Sequence, residues 1–145
     1  MVVGGGPLRG ELEAQAAGLG IASRVTFLGS RLDVADLLGL MEVFALSSVS
    51  EGMSMTILEA MAARCPVVAT DVGGTSWLVH HEKTGLLVPS QLPDRLADAI
   101  VRLLNDRVWA AQLGQAGYEL VRERFQLDQV IQQYDDLYRQ LLGAR

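Results

Sequence analysis

Two glutamates, Glu51 and Glu59, stand eight positions apart in the stretch SSVSEGMSMTILEAMAARCPVVATDVGG. A carboxylate accepts hydrogen bonds from hydroxyls and stabilises positive charge, so a pair at a fixed spacing suits a polyhydroxylated ligand. The residues around them set where they stand. VFALSS, from Val43 to Ser48, reads as a buried strand, and the Ala-, Met- and Leu-rich run from about Ser54 to Arg64 as a helix that Pro66 ends. Gly52 lets the backbone turn tightly between them. The free N–H groups of Met53, Ser54, Met55 and Thr56 then face the strand's C-terminal edge, and such a helix start is an anion site, most often for phosphate. Glu59, in the first or second turn, can reach beside that anion and accept from a vicinal diol such as a ribose. Glu51, on the far side, can bond sugar hydroxyls or stabilise charge developing on a sugar ring. Two acceptors flanking a phosphate cradle match a nucleotide sugar. The spacing also admits a plainer reading, with Thr56 to Glu59 as a capping box and Glu51-Gly52 as an ordinary turn.

Other candidates weigh less. The loop GGGPLRG, with Gly4, Gly5 and Gly6, lacks the GxGxxG spacing because Arg9 holds the third glycine's place, and no Gly-Lys-Ser/Thr follows. A turn with Pro7 near the first helical position and a ligand contact are both open. Gly73-Gly74 reads slightly better as a turn than as a ligand approach. His80-His81-Glu82 is not HExxH, since Gly85 occupies the second histidine's place, so no metal is expected. Cys65 reads as a small buried thiol, and Trp109, Tyr134 and Tyr138 as core.

These residues need a frame. Short apolar runs alternate with helical periodicity: Val2-Val3, Val25 to Gly29, Val43 to Ser48, VVAT and GLLVP as strands, with helices between. Asp33 is a plausible N-cap for a helix to Met41. Thr75 to His80 reads as a short helix. From Pro93 onwards the chain is helical, with Leu96, Ile100, Leu103 and Leu104 on one stripe and Val130, Tyr134, Leu137, Tyr138 and Leu141 on another. The alternation predicts an α/β, Rossmann-like parallel sheet with helices on both faces. It places Gly4 to Pro7, Gly29 to Arg31, Ser47 to Ser54 and Asp71 to Gly74 at the strands' C-terminal edge, where such sheets bind ligands. The brevity of Val2-Val3 suggests an N-terminally truncated chain.

Composition bounds the rest. The 145 residues carry a net charge of −5, without a basic stripe, so no nucleic-acid partner is expected. One cysteine excludes an internal disulfide and fits a reducing, cytoplasmic location. No run of about 18 apolar residues spans a membrane.

GGGPLRGELEAQAAGLGIASRVTFLG, then VFALSSVSEGMSMTILEAMAARCPVVATDVGG, then EKTGLLVP resemble the C-terminal domain of group 1 retaining glycosyltransferases of the GT-B fold, relatives of sucrose and glycogen synthases and bacterial mannosyltransferases. The resemblance runs over residues 1–145 and implies the donor-binding half of a two-domain enzyme, the N-terminal acceptor domain being absent. It implies that Glu59 binds ribose hydroxyls and that Glu51 contacts the donor sugar near the anomeric centre as the catalytic carboxylate. The amides from Gly52 through Met53, Ser54 and Met55 to Thr56 would hold sugar hydroxyls and phosphate. Gly29, Ser30 and Arg31 would pack against the base, and Gly4, Gly5 and Gly6 would line the rim. No metal and no cofactor are implied beyond the nucleotide sugar as donor substrate. The family's Arg/Lys pair for the leaving diphosphate is absent, so the chain by itself is expected to bind nucleotide weakly and transfer no sugar. Alternatives are a non-catalytic nucleotide-binding or scaffold module and a sugar-nucleotide epimerase-like or phosphorylase domain. Three positions depart from the family pattern. Arg64 replaces the usual Gly, which predicts a less sharply bent loop; Ser76 replaces Pro; and Trp77 stands where Glu is common. Expected partners are the donor, the missing domain, a second copy through the truncated edge or the C-terminal helices, and a membrane surface for the full enzyme.

Overall fold

Residues 1–143 are described by a computed structural model. They form two units, Met1–Val34 and a second beginning at Ala35. In the first, β1 (Val2–Val3) pairs in parallel with β2 (Phe27–Gly29), and α1 (Arg9–Gly18) connects them. Pro7 lies outside α1, whose N-cap is Leu8, so it does not serve as the first helical residue. The expected strand from Val25 contracts to Phe27–Gly29, because Ala22–Arg24 spend themselves in a single 3-10 turn.

The second unit opens at α2 (Val34–Leu40), which begins just before the boundary. It then runs β3 (Phe44–Leu46), α3 (Met55–Ala62), β4 (Val67–Thr70), α4 (Thr75–Leu78) and β5 (Leu86–Val88). α5 (Pro93–Asn105), α6 (Arg107–Arg124) and α7 (Leu127–Gly143) follow. Strands β3, β4 and β5 lie side by side in that order, all parallel, with Ala45 opposite Val68 and Ala69 opposite Leu87. The α/β class and parallel pairing are as the alternation predicts. The strands divide between a two-stranded and a three-stranded sheet, each with its own C-terminal edge.

The centre of the second unit is β4, whose four residues are all buried, as a strand must be when both its faces are covered. Val68 packs with Leu86, Val88, Ala99, Leu103, Ala110 and Leu113, joining the sheet to α5 and α6. Local signals hold these helices in place. Pro93 opens α5, and Asp106 caps α6 by accepting from the Trp109 N–H at 2.9 Å. Helix α3 buries Ile57, Leu58, Ala60 and Met61. Gly114 of α6 lets the backbone at the end of α3 approach, since a Cβ there would lie 2.3 Å from the Arg64 carbonyl oxygen.

Two expectations fail. Tyr134 and Tyr138 are 58% and 59% exposed rather than core, and no residue of α7 is buried. Periodicity predicts that a helix has an apolar face but not that anything covers it. The loop at Arg64 is not less sharply bent. Arg64 itself adopts φ +57°, while its N–H bonds to Met61 O and the Cys65 N–H to Ala60 O, each at 2.9 Å. This is the double hydrogen bond of a glycine-type helix end, with arginine in the left-handed position. Its guanidinium lies 4.0 Å from the Tyr118 ring centroid, an attraction that offsets part of the backbone strain.

Candidate functional site

At the C-terminal edge of β3, the chain leaves Leu46 and turns through Ser48 and Glu51 into α3. Glu51 is half-buried, and Ser48 Oγ donates to its Oε1 at 2.7 Å. The Ser48 carbonyl in turn accepts from Thr70 Oγ1 at 2.6 Å and from Ser90 Oγ at 3.3 Å. Hydroxyls from the end of β4 and from beyond β5 therefore fix the loop that carries Glu51. Sequence reasoning missed Ser48, Thr70 and Ser90 as supports. The only signal was a hydroxyl at each strand's C-terminal end, and its partners lie up to 42 residues away.

Gly73 and Gly74 explain the loop's other wall. Gly74 N–H donates to Glu51 O at 3.2 Å. A Cβ on Gly73, whose φ is +51°, would fall 1.8 Å from that same oxygen, and one on Gly74 would fall 2.4 Å from Gly52 O. The pair is more than a turn: it lets two loops touch backbone to backbone.

Helix α3 begins at Met55 with Ser54 as N-cap, so its uncommitted N–H groups run from Ser54 to Ile57, one residue later than expected. No side chain caps them. Ser54 is buried and its Oγ lies 3.1 Å from Thr56 Oγ1, turned to its neighbour rather than to the backbone. The capping-box reading of Thr56 and Glu59 is not realised, because Thr56 already sits inside the helix. Glu59 lies in the second turn, exposed, without a hydrogen bond or ion pair among the described residues. Gly52, Met53, Met55 and Thr56 are exposed around the helix start. The structure thus brings Glu51, Gly52, the bare end of α3 and the Gly73-Gly74 loop together. It forms a half-buried carboxylate, a row of donors and an accessible second carboxylate.

In the first unit, Gly4 to Gly6 and Gly29-Ser30 meet at the C-terminal edge of β1 and β2. Gly4 N–H donates to Gly29 O at 2.8 Å, and a Cβ on Gly5 would lie 3.2 Å from Ser30 Oγ. Arg31 does not stand free beside them. Its Nε donates to Asp33 Oδ1 at 2.8 Å and its second fork closes on Oδ2. The Arg31 hydrogen bonds hold the Asp33 carboxyl below its ordinary range, and Asp33 in return raises the guanidinium further. Asp33 stands immediately before α2, but its carboxylate is engaged by Arg31.

The remaining candidates are structural. Cys65 is buried, and desolvation pushes its thiol up to about 11, far from a nucleophile. His81 Nδ1 accepts from the Leu87 N–H at 3.0 Å, which ties the loop before β5 to the strand. Trp109 is partly buried against the core, with the Arg102 guanidinium 4.4 Å from its ring centroid.

Comparison with known proteins gives this geometry a setting. Residues 1–106 match the family model described as glycosyl transferases group 1. A GDP-mannose-dependent alpha-(1-6)-phosphatidylinositol monomannoside mannosyltransferase of Mycobacterium tuberculosis is 36% identical over 96% of the chain and 38% of its own length. Among solved structures, a sucrose-phosphate synthase from Thermosynechococcus elongatus superposes with a TM-score of 0.89 at 36% identity, over 99% of this chain and 38% of that one. HepE of Anabaena, in complex with UDP, superposes with a TM-score of 0.90 at 29% identity, over 95% of this chain and 40% of that one. The chain spans about two fifths of the length of the relatives it matches.

Proposed function

Because this chain belongs to the group 1 glycosyltransferases, we propose that the junction from Glu51 to Glu59 binds the nucleotide-sugar donor of a retaining glycosyl transfer. The observation that carries this reading is the state of α3: its first turn is uncapped while Glu59, one turn on, is exposed and unpaired among the described residues. A diphosphate is the ligand that such N–H groups accept, since they stabilise negative charge without a cation. Glu59 accepts from the two ribose hydroxyls beside it. Glu51, held by Ser48, lies across Gly52 and meets the transferred sugar. There it accepts from a hydroxyl and stabilises positive charge that builds at the anomeric carbon as the bond to the diphosphate breaks. The leaving diphosphate's growing negative charge falls to the end of α3.

The relatives support this assignment at the level of ligand class, since HepE structures hold UDP and UDP-glucose and the mannosyltransferase takes its name from GDP-mannose. The base, the sugar and the acceptor of this chain are separate questions. Calorimetric titration with UDP, GDP and ADP tests the reading. One of the three should bind, and Glu59→Ala should weaken it about tenfold, the worth of a charged hydrogen bond or two. Equal binding by Glu59→Ala would remove the ribose assignment.

A further inference from the structure

We propose that Ser48 is a positioning residue for the transferred sugar: by occupying one oxygen of Glu51 it presents the other to the donor. The inference rests on the donor-site reading above and extends it from the carboxylate to the hydroxyls that aim it. Ser48 Oγ donates to Glu51 Oε1 at 2.7 Å, and Oε2 has no partner among the described residues. A carboxylate only accepts, so the Ser48 proton has one direction in which to point. The hydroxyl thus distinguishes two oxygens that are otherwise equivalent, and Oε2 is the one left for a sugar hydroxyl. Little side-chain packing holds the chain here, since Ser47, Val49, Ser50 and Gly52 are all exposed. A glutamate in such a loop samples many rotamers, and a ligand that requires one of them loses affinity in ordering it. Ser48 supplies that order before the ligand arrives.

Ser48 is itself aimed by the strands beside it. Its carbonyl accepts from Thr70 Oγ1 at 2.6 Å and from Ser90 Oγ at 3.3 Å, which uses both lone pairs of one oxygen. The parallel ladder gathers these groups: Leu46 lies opposite Ala69, and Thr70 opposite Val88. Strands β3, β4 and β5 therefore finish side by side, with a hydroxyl at or just past the end of each. Two bonds to one carbonyl fix the peptide that follows Ser48, and the Gly74 N–H fixes the Glu51 carbonyl at 3.2 Å. The backbone is thus held on either side of Val49 and Ser50, and Ser48 reaches Glu51 from a fixed origin. None of the three hydroxyl bonds goes to the N–H groups at the start of α3. The device acts on the sugar end of the site and leaves the diphosphate end alone.

The test titrates UDP, GDP and ADP against UDP-glucose, GDP-mannose and ADP-glucose by calorimetry. The chains are wild type, Ser48→Ala, Glu51→Ala, the double variant, Thr70→Val and Thr70→Ser. Ser48→Ala is expected to weaken the nucleotide sugar about fivefold and to leave the nucleoside diphosphate within about twofold. Thr70→Val, which keeps the shape and removes the donor, should act in the same direction, and Thr70→Ser should bind as wild type does. In Glu51→Ala, adding Ser48→Ala should cost less than about twofold, because the hydroxyl acts only through the carboxylate. Equal weakening of both ligands by Ser48→Ala overturns the inference, since a merely structural role has that effect. No weakening of the nucleotide sugar overturns it while leaving the donor site intact. A loss that persists undiminished in Glu51→Ala also overturns it, because Ser48 then acts on the ligand directly. If Ser48→Ala does not fold, Thr70→Val set against Thr70→Ser decides, and the absence of a sugar-specific loss there overturns the inference. A wild-type chain that binds none of the six probes overturns the donor site and this inference together.

Discussion

At Gly73 a backbone φ of +51° and a carbonyl oxygen 1.8 Å from the place of a Cβ act together. Gly73→Ala must both strain its own backbone and push Glu51 away, so it is expected to cost about 2–3 kcal/mol. Chemical denaturation checks this; a loss under about 0.5 kcal/mol would mean that the two loops do not touch as described. Cys65 gives a different handle. Its thiol ionises near 11 in the fold and at 9.0 ordinarily. Below pH 9 both folded and unfolded chains keep the proton, and the stabilisation is fully present. Between about 9 and about 11 the unfolded chain sheds its proton while the folded one holds it, so stability falls as pH rises. Melting curves across that window should show a decline that Cys65→Ala reduces, and native Cys65 should resist alkylation at pH 8. Residue placements were legible where one residue carries the signal: Glu59 in a helix, Cys65 buried between apolar neighbours. They were illegible where the signal is a meeting of distant residues. Ser48, Thr70 and Ser90 share one carbonyl, and nothing in their local sequence says so.

Among the elements, α3 and α7 show two fates of an apolar helix face. Helix α3 buries Ile57, Leu58, Ala60 and Met61, and α6 lies against it, with Gly117 near the Met61 side chain. Helix α7 buries nothing, and its Tyr134 and Tyr138 rings tilt toward one another with centroids 6.4 Å apart. Removing residues 127–145 is therefore expected to move the melting temperature by no more than about 2 °C, because no residue of α7 is buried. A fall of more than about 5 °C would show that α7 supports the fold. Helix α3 was visible as a run of helix formers that Pro66 ends, α7 as a 3.6-residue apolar stripe, and β4 as a β-branched run before a polar turn. Helix ends were less visible. Pro66 marked where α3 stops, but Arg64 occupies a position that glycine normally marks, so the residue type hid the sharp left-handed turn that the backbone nonetheless makes.

Across the whole molecule, the α/β class was readable because strands and helices alternate, while the division of the strands into two sheets was not, since pairing is decided between segments far apart in sequence. No described helix is long and apolar enough to cross a membrane. Family membership fits a chain matched over residues 1–106 and aligned with about two fifths of each relative. The central claim concerns Glu59, and the comparison that tests it most directly is between a ribonucleoside diphosphate and its 2′,3′-dideoxy analogue. Both are titrated by calorimetry into wild type and Glu59→Ala. Wild type should prefer the ribonucleotide by about tenfold, and Glu59→Ala should bind the two alike. A Glu59→Ala chain that keeps the full ribose preference would contradict the account.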